Sequence, residues 1–394
     1  MESLEAGQRI VSVGEEPLRA AAPTDVRYCT RCVISNQRPR IRFDSDGVCS
    51  ACQFAERKAR IDWTVRELEL SELCDRHRSR DGSFDVIVPG SGGKDSGYVA
   101  HQLKYRYGMH PLTVTWAPHL YTDVGRKNFQ AFINAGFDNI MGTPNGKVHA
   151  RLTRLALEHM GDPFQPFVYG VKSLPIRIAT SFHIPLVMYG ENGEVEYGGD
   201  DKNEDRPTHD IAGDLLKHYW SGVGPMEWTK YGVAAADLRY YMPPPPEEVE
   251  RVGVQCHFFS YYRRWVPQEN YYYCIDNIGF TPNPDGRSEG TYSKYASIDD
   301  KVDGFHYYLG FIKFGIGRAT SDAAHEIRDG HLTRDEGVAL VRRYDGEFPS
   351  KYFADFLAYT GLSEAEFTAI VDTYRSPHIW AKETGEWRLR SQVA

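Results

Sequence analysis

No apolar run in the chain approaches the ~20 residues a bilayer-spanning helix requires, so no segment reads as inserted in a membrane. There is no GxxxxGK[ST] signature, which removes a Walker-type nucleotide loop. Neither an internal repeat nor a long low-complexity stretch is present. Residues 1–26 lack the apolar segment of a secretory signal and read as a flexible N-terminal extension. Cysteine is sparse at seven residues, and without a secretion signal it fits a reducing cytoplasm better than a disulfide framework. Positive charge is short as well: 46 Lys and Arg against 54 Asp and Glu leave a net charge of −8, which argues against a general nucleic-acid-binding surface. The 41% hydrophobic content suffices for a large core, and the 13% aromatic content is high and weighted to the C-terminal half. A length of 394 residues suits a soluble enzyme of two domains with an appendage.

Four of the seven cysteines form two pairs, Cys29-x-x-Cys32 and Cys49-x-x-Cys52, with sixteen residues between them. Two such knuckles place four thiolates around one tetrahedral Zn²⁺. Asp44 to Gly47, just before the second knuckle, supplies turn residues for the intervening loop. Four thiolates leave no open coordination position, so the expected metal is structural. An iron–sulfur cluster would use the same ligands and stays open here.

Phe84 to Ser96 reads FDVIVPGSGGKDS. Val86, Ile87 and Val88 form a continuous apolar run, expected to be a buried strand. After Pro89-Gly90 come Ser91, Gly92, Gly93, Lys94, Asp95 and Ser96, then a helix-like stretch with Val99, Ala100, Leu103 and Tyr107. Strand, glycine turn and helix start together make an anion site. Both glycines can adopt positive φ, so that successive N–H groups converge on phosphate oxygens, and Ser91, Lys94 and Ser96 add donors. Asp95 has two roles open to it, capping the following helix or helping to hold Mg²⁺ near phosphates. The SGGKDS run resembles the pyrophosphate-binding PP-loop of the ATP pyrophosphatases, which cleave ATP between the α- and β-phosphates.

Further along, Pro111 to Trp116, Phe137 to Met141 and Ile184 to Tyr189 read as strands. Val124 to Ala135, Val148 to Met160 and Leu174 to Phe182 read as helices, the last with Pro175 near its start. This alternation implies an α/β fold: a doubly wound parallel sheet with an N-terminal zinc-knuckle module and a mostly helical, aromatic-rich C-terminal region. Ligands in such sheets bind at the carboxyl ends of the strands. The glycine loop, Trp116 and Gly190-Glu191-Asn192 all fall there. Tyr197 to Arg206 reads as a polar loop or lid, and the tetraproline Pro243 to Pro246 as a linker. The expected organisation is thus an extension (1–26), a zinc-knuckle module (27–62), a nucleotide domain (63–242) and a substrate or partner region (243–394). The aromatic runs from Phe258 to Trp265 and Tyr271 to Tyr273 suit a core or an interface better than a ligand. Helix starts follow from Thr333-x-x-Glu336 and Ser363-x-x-Glu366.

The run Tyr28 to Val33, the SGGKDS loop, Glu289-Gly-Thr-Tyr292, Asp299 to Tyr308 and Phe314 to Asp322 are together similar to the N-acetyl sugar amidotransferases. These are bacterial enzymes that make acetamidino sugars for surface polysaccharides, including lipopolysaccharide O-antigen, and for flagellin glycans. The resemblance spans about Tyr28 to Phe348. It implies a nucleotide-activated N-acetyl sugar as substrate, ATP and Mg²⁺ alongside structural Zn²⁺, and release of AMP and pyrophosphate. ATP would be held by Ser91, Gly92, Gly93, Lys94, Asp95 and Ser96, with Trp116 and Gly190 beside it; Lys94, Asp95 and Ser96 would take part in catalysis. For the sugar nucleotide the candidates are Lys172, Glu191, Asn192, Glu194, Tyr197, Lys301 and Arg318. Cys74, Cys256 and Cys274 lack the context of a glutaminase nucleophile. The resemblance therefore implies a separate glutaminase with a barrel-like subunit conducting ammonia. His306 and His325 suit structural roles better than acid–base ones. Two other readings stand beside this one: an RNA-thiolating enzyme, for which Arg27, Arg31, Arg38, Arg40 and Arg42 would be the basic surface, and a non-catalytic docking module. The oligomeric state is open.

Overall fold

The computed structural model describes residues 23–200, 204–208 and 210–394, so most of the expected N-terminal extension and the centre of the expected lid lie outside the described residues. Five parallel strands form one sheet: β1 (Val86–Pro89), β2 (Pro111–Trp116), β3 (Asp138–Gly142), β4 (Leu186–Tyr189) and β5 (Gln255–Phe258), in the order β3-β2-β1-β4-β5. β1 pairs Val86 with Pro111 and Val88 with Thr113 on one side, and Ile87 with Val187 on the other. β1, β2 and β4 are nearly continuous apolar runs because both faces of the sheet are covered. β3 lies at an edge and is correspondingly half exposed.

One face carries Ile87, Leu112, Val114 and Trp116. It packs under α5 (Gly146–Met160) and α6 (Gln165–Ser181) through Leu152, Ala156, Tyr169, Leu174 and Ile176. The other carries Val86, Val88 and Leu186. It packs under α2 (Trp63–His77), α3 (Lys94–His101), α4 (Asp123–Asn134) and α8 (Pro267–Ile278), with Leu70, Val99, Phe132 and Tyr271 in the core. Phe259 and Trp265 are fully buried, so the aromatic run after β5 is core, as expected.

Two expectations need correcting. α6 starts at Gln165 with Pro166 in its first turn, so Pro175 lies inside the helix and not near its start. It is buried there, where packing against the sheet outweighs the lost backbone hydrogen bond. β5 follows the tetraproline segment and pairs with β4 through Val187–Cys256 and Met188–His257. The sheet therefore runs past the boundary expected at residue 243.

The C-terminal region is helical: α9 (Asp303–Phe314), α10 (Arg318–Asp329), α11 (Arg334–Tyr344), α12 (Phe353–Thr360) and α13 (Glu364–Asp372), then a small antiparallel hairpin of Trp380–Glu383 and Glu386–Leu389. Both expected capping boxes form, Thr333 with Glu336 and Ser363 with Glu366. The cysteine segment and α1 (Ser50–Lys58) do not form a free module. Val33, Ile34, Val48 and Ala51 share one core with Ala323, Ala324, Val338 and Val341 of the C-terminal helices and with Ile316 between two of them. Among the described residues, no helix is long and apolar enough to cross a membrane.

Candidate functional site

The chain builds β2 and β3 to one side of β1 and then places β4 on the other. The order of connection thus reverses between β1 and β4, where an open α/β sheet leaves a crevice at its carboxyl edge. The loops after those two strands are Gly90 to Gly93 and Gly190 to Asn192. Gly92 has φ +86°, and a Cβ there would lie 2.7 Å from Phe129 Cα, so the turn admits only glycine. Gly93, expected to share that conformation, has φ −69° and is the N-cap of α3. The amides of Ser91, Gly92 and Gly93 donate to no backbone carbonyl among the described residues. They stand at the positive end of α3, as an anion cradle would require. Ser96 Oγ donates back to the Gly93 carbonyl at 3.2 Å, and the Cys274 thiol donates to the Lys94 carbonyl at 3.0 Å, which fixes the loop from beneath.

Asp95 does not cap α3. Its carboxylate pairs with Lys94 and lies 3.4 Å from the Asn270 amide. Glu191 enters from the β4 loop, its carboxyl raised above the usual range by burial and then by the nearby Asp95 charge, against the pull of Lys94 and Lys172. Lys172 on α6 carries its ammonium 3.8 Å from the Tyr219 ring centre and 4.4 Å from that of Tyr189. Burial lowers it to about 8, against the favourable field of Glu191. Tyr197 is half-buried; withdrawal of its hydroxyl from water, then the Glu191 and Asp95 charges, hold it well above its ordinary range, with Arg318 opposing them. Arg318, at the start of α10, is held by Asp322 at 3.0 Å and lies 4.3 Å from the Tyr307 ring centre. Lys94, Asp95, Lys172, Glu191, Tyr197 and Arg318 thus form one half-buried, electrostatically linked cluster, although four separate segments supply them.

The remaining candidates sit differently. Trp116 is a core side chain on the opposite face of the sheet from α3, so closely stacked on Gly170 that a Cβ there would meet its ring at 2.0 Å. Gly190 packs against the Trp265 ring and accepts from the Ser260 amide at 3.0 Å. The Asn192 side chain accepts from the Glu194 amide, which caps α7 (Gly193–Tyr197). Glu194 is engaged by Arg40, whose Nε donates to it at 2.8 Å, and by the Asp200 amide at 2.7 Å. Lys301 is turned away to Asp355 at 3.1 Å. His306 pairs with Asp162 at 2.8 Å and His325 with Asp329 at 3.0 Å, both structural contacts. Asp299 was not singled out from sequence. It accepts from Ser91 Oγ at 2.8 Å across 208 residues of chain, and burial raises its carboxyl. The only sequence signal for it was its place in the Asp299-Asp300-x-x-Asp303 run.

Cys29, Cys32, Cys49 and Cys52 are all buried, with their four sulfurs within 4.8 Å of one another. The Cys29–Cys52 and Cys32–Cys49 sulfur separations are 3.8 and 3.7 Å. Four thiolates at about 2.3 Å from a tetrahedral zinc lie about 3.8 Å apart, whereas a disulfide requires about 2.05 Å. The arrangement thus fits a single metal ion. The amides of Arg31, Cys32 and Cys49 point at the Cys29 sulfur at 3.3 to 3.5 Å. The Arg328 guanidinium is raised further by the three neighbouring thiols of Cys32, Cys52 and Cys49, although burial opposes this. A half-buried cation near these sulfurs offsets the excess negative charge such a centre carries. The other three cysteines are buried and separate. Burial pushes Cys74 and Cys256 up to about 12 and Cys274 higher still, the reverse of an activated nucleophile.

No curated protein matches the chain. Residues 289–393, which include Arg318, Asp299 and the helices that pack on the cysteine centre, match a family model described as LPS biosynthesis protein WbpG-like, C-terminal domain.

Proposed function

We propose that the chain is an ATP-dependent amidotransferase that converts the N-acetyl group of a nucleotide-activated sugar to an acetamidino group, with the SGGKDS turn acting as a PP-loop. The observation that carries the reading is the donor-lined glycine turn at the start of α3, set at the switch point of the sheet beside Lys94, Asp95, Lys172, Glu191 and Arg318. An unactivated acetamide resists ammonia because its carbonyl carbon is weakly electrophilic and its oxygen is a poor leaving group. In the proposed reaction the amide oxygen attacks the α-phosphorus of ATP and pyrophosphate departs, giving an O-adenylyl imidate. Ammonia then adds to the imidate carbon and AMP leaves with the former amide oxygen. The free amides of Ser91, Gly92 and Gly93, with Lys94 and Ser96, would bind the departing pyrophosphate by positioning and charge. Asp95, Glu191 and Asp299 offer hard oxygen donors suited to Mg²⁺, which would neutralise phosphate charge when bound.

The four cysteines would hold Zn²⁺ as a closed, structural centre. Ammonia would come from a separate glutaminase, through a barrel-like partner, since Cys74, Cys256 and Cys274 are buried and unactivated. The same three thiols give the RNA-thiolation reading no persulfide carrier. Incubation with ATP, Mg²⁺, ammonium and a panel of UDP- and CMP-linked N-acetyl sugars tests the proposal. The expected result is AMP with pyrophosphate and a product about one mass unit lighter than its sugar substrate. ADP with orthophosphate in their place would refute it.

A further inference from the structure

The cysteine segment carries a cation that forms no ion pair among the described residues. Arg38 lies between the two knuckles, and its Nε is buried with no hydrogen-bond partner. Its guanidinium makes no ion pair with any described residue. The carboxylate that acts on it most strongly, Glu194, is already held by Arg40 through two nitrogens, and the other charged groups acting on Arg38 are the cations Arg40 and Arg328. Arg38 is half-buried, and a cation withdrawn from water is costly unless an anion joins it. Arg38 lies over the Tyr197 ring, 5.9 Å from its centre. Tyr197, on the short α7 that follows the β4 loop, in turn feels the charges of Glu191, Asp95 and Arg318. Tyr197 thus links Arg38 to the charged groups at the glycine loop.

We propose that Arg38 anchors a phosphate of the second substrate, the sugar nucleotide, so that the cysteine segment forms one wall of the substrate site as well as a folding unit. The inference rests on the amidotransferase reading for the identity of that substrate. Guanidinium presents paired N–H donors that match two phosphate oxygens, which a lysine cannot reproduce. The arrangement also accounts for why the segment packs onto α10, the helix that begins with Arg318: both cations approach Tyr197 from elements that share one core. Metal binding would then set the position of Arg38, as a ligand sphere does for the residues between its ligands.

UDP and CMP serve as phosphate-bearing probes in equilibrium binding, with α,β-methylene ATP measured in parallel. Arg38→Gln is expected to weaken binding of whichever probe the wild type takes by roughly 10- to 100-fold, the loss of a charge-assisted bidentate contact. Zinc content and affinity for α,β-methylene ATP should be unchanged, and Arg38→Lys should recover only part of the loss. Arg40→Gln, which breaks an ion pair of the same segment, is the control for packing. Unchanged probe binding in Arg38→Gln would overturn the inference. So would an equal loss in Arg40→Gln, an equal loss for the ATP analogue, or a wild type that binds neither probe. These readouts need no turnover: a selective loss of probe binding in a protein that forms no AMP would uphold the anchor and refute the reaction.

Discussion

Gly92 and Gly93 are adjacent, similar in sequence context and sharply different in what they tolerate. At Gly92, φ +86° places an alanine in the left-handed region, at a cost of about 1–2 kcal/mol. Its Cβ would also sit 2.7 Å from Phe129 Cα and 2.8 Å from Phe129 N, backbone atoms of α4 that no rotamer change can move aside. Overpacking of that kind adds about 1–3 kcal/mol, so Gly92→Ala should cost about 2–5 kcal/mol in all. The melting entropy of a cooperative chain of 394 residues is roughly 0.8 kcal/mol/K, so the midpoint should fall by roughly 2–6 °C. At Gly93, φ is −69° and, among the described residues, an added Cβ would have only Ser91 Oγ within 4 Å beyond its chain neighbours, at 3.9 Å. Gly93→Ala should cost about 1 kcal/mol or less, the difference between glycine and alanine at an N-cap. Differential scanning calorimetry of both variants, with α,β-methylene ATP binding as the second readout, separates them. A Gly92→Ala protein with wild-type stability and nucleotide affinity, or a Gly93→Ala protein damaged as badly, would refute the loop geometry and the anion cradle derived from it.

The cysteine centre should hold one Zn²⁺ per chain; Cys29→Ser or Cys52→Ser should lose it and fold poorly, because structural zinc contributes about 10–16 kcal/mol of apparent binding free energy to folding. A metal-free preparation of normal stability, checked by elemental analysis and denaturation, would count against that. Lys172 is lowered to about 8 by burial, so its charge is present below that pH and lost above it. Phosphate-probe binding should therefore weaken as pH rises through about 8, and Lys172→Arg, which stays charged, should flatten the profile. The purified chain should turn over with ammonium salts and not with glutamine; glutamine hydrolysis by the chain alone, abolished at Cys74, Cys256 or Cys274, would mean that one of those thiols is a nucleophile after all.

Much of this site was legible in the sequence because its signals are local. Val86 to Val88 are apolar without a break, the glycine turn follows directly, and the spacing of two CxxC pairs is itself a ligand geometry. The convergence of the β1 and β4 loops followed from chain order alone, since parallel strands share a carboxyl edge. What stayed hidden depends on contacts between distant segments. Asp299 meets Ser91 across 208 residues, and no local pattern separates it from its neighbours Asp300 and Asp303. Glu194 looked like a ligand for substrate hydroxyls, and only the fold reveals that Arg40 occupies it. Pro175 reads as a helix start by propensity, but burial against the sheet carries the helix through it. β5 lies beyond four prolines that look like a linker, and four residues are too few for periodicity to identify a strand. The N-terminal cysteines read as a separate module because their hydrophobic partners are about 300 residues downstream, on α10 and α11.

The fate of the acetamide oxygen tests the central claim most directly. With the N-acetyl carbonyl of the sugar nucleotide labelled with ¹⁸O, attack of that oxygen on the α-phosphorus of ATP requires the label to leave on AMP. One ¹⁸O per AMP phosphate, together with an unlabelled amidine and unlabelled pyrophosphate, is the predicted result. Label recovered in orthophosphate, or retained in the sugar product while ATP is consumed, would contradict it.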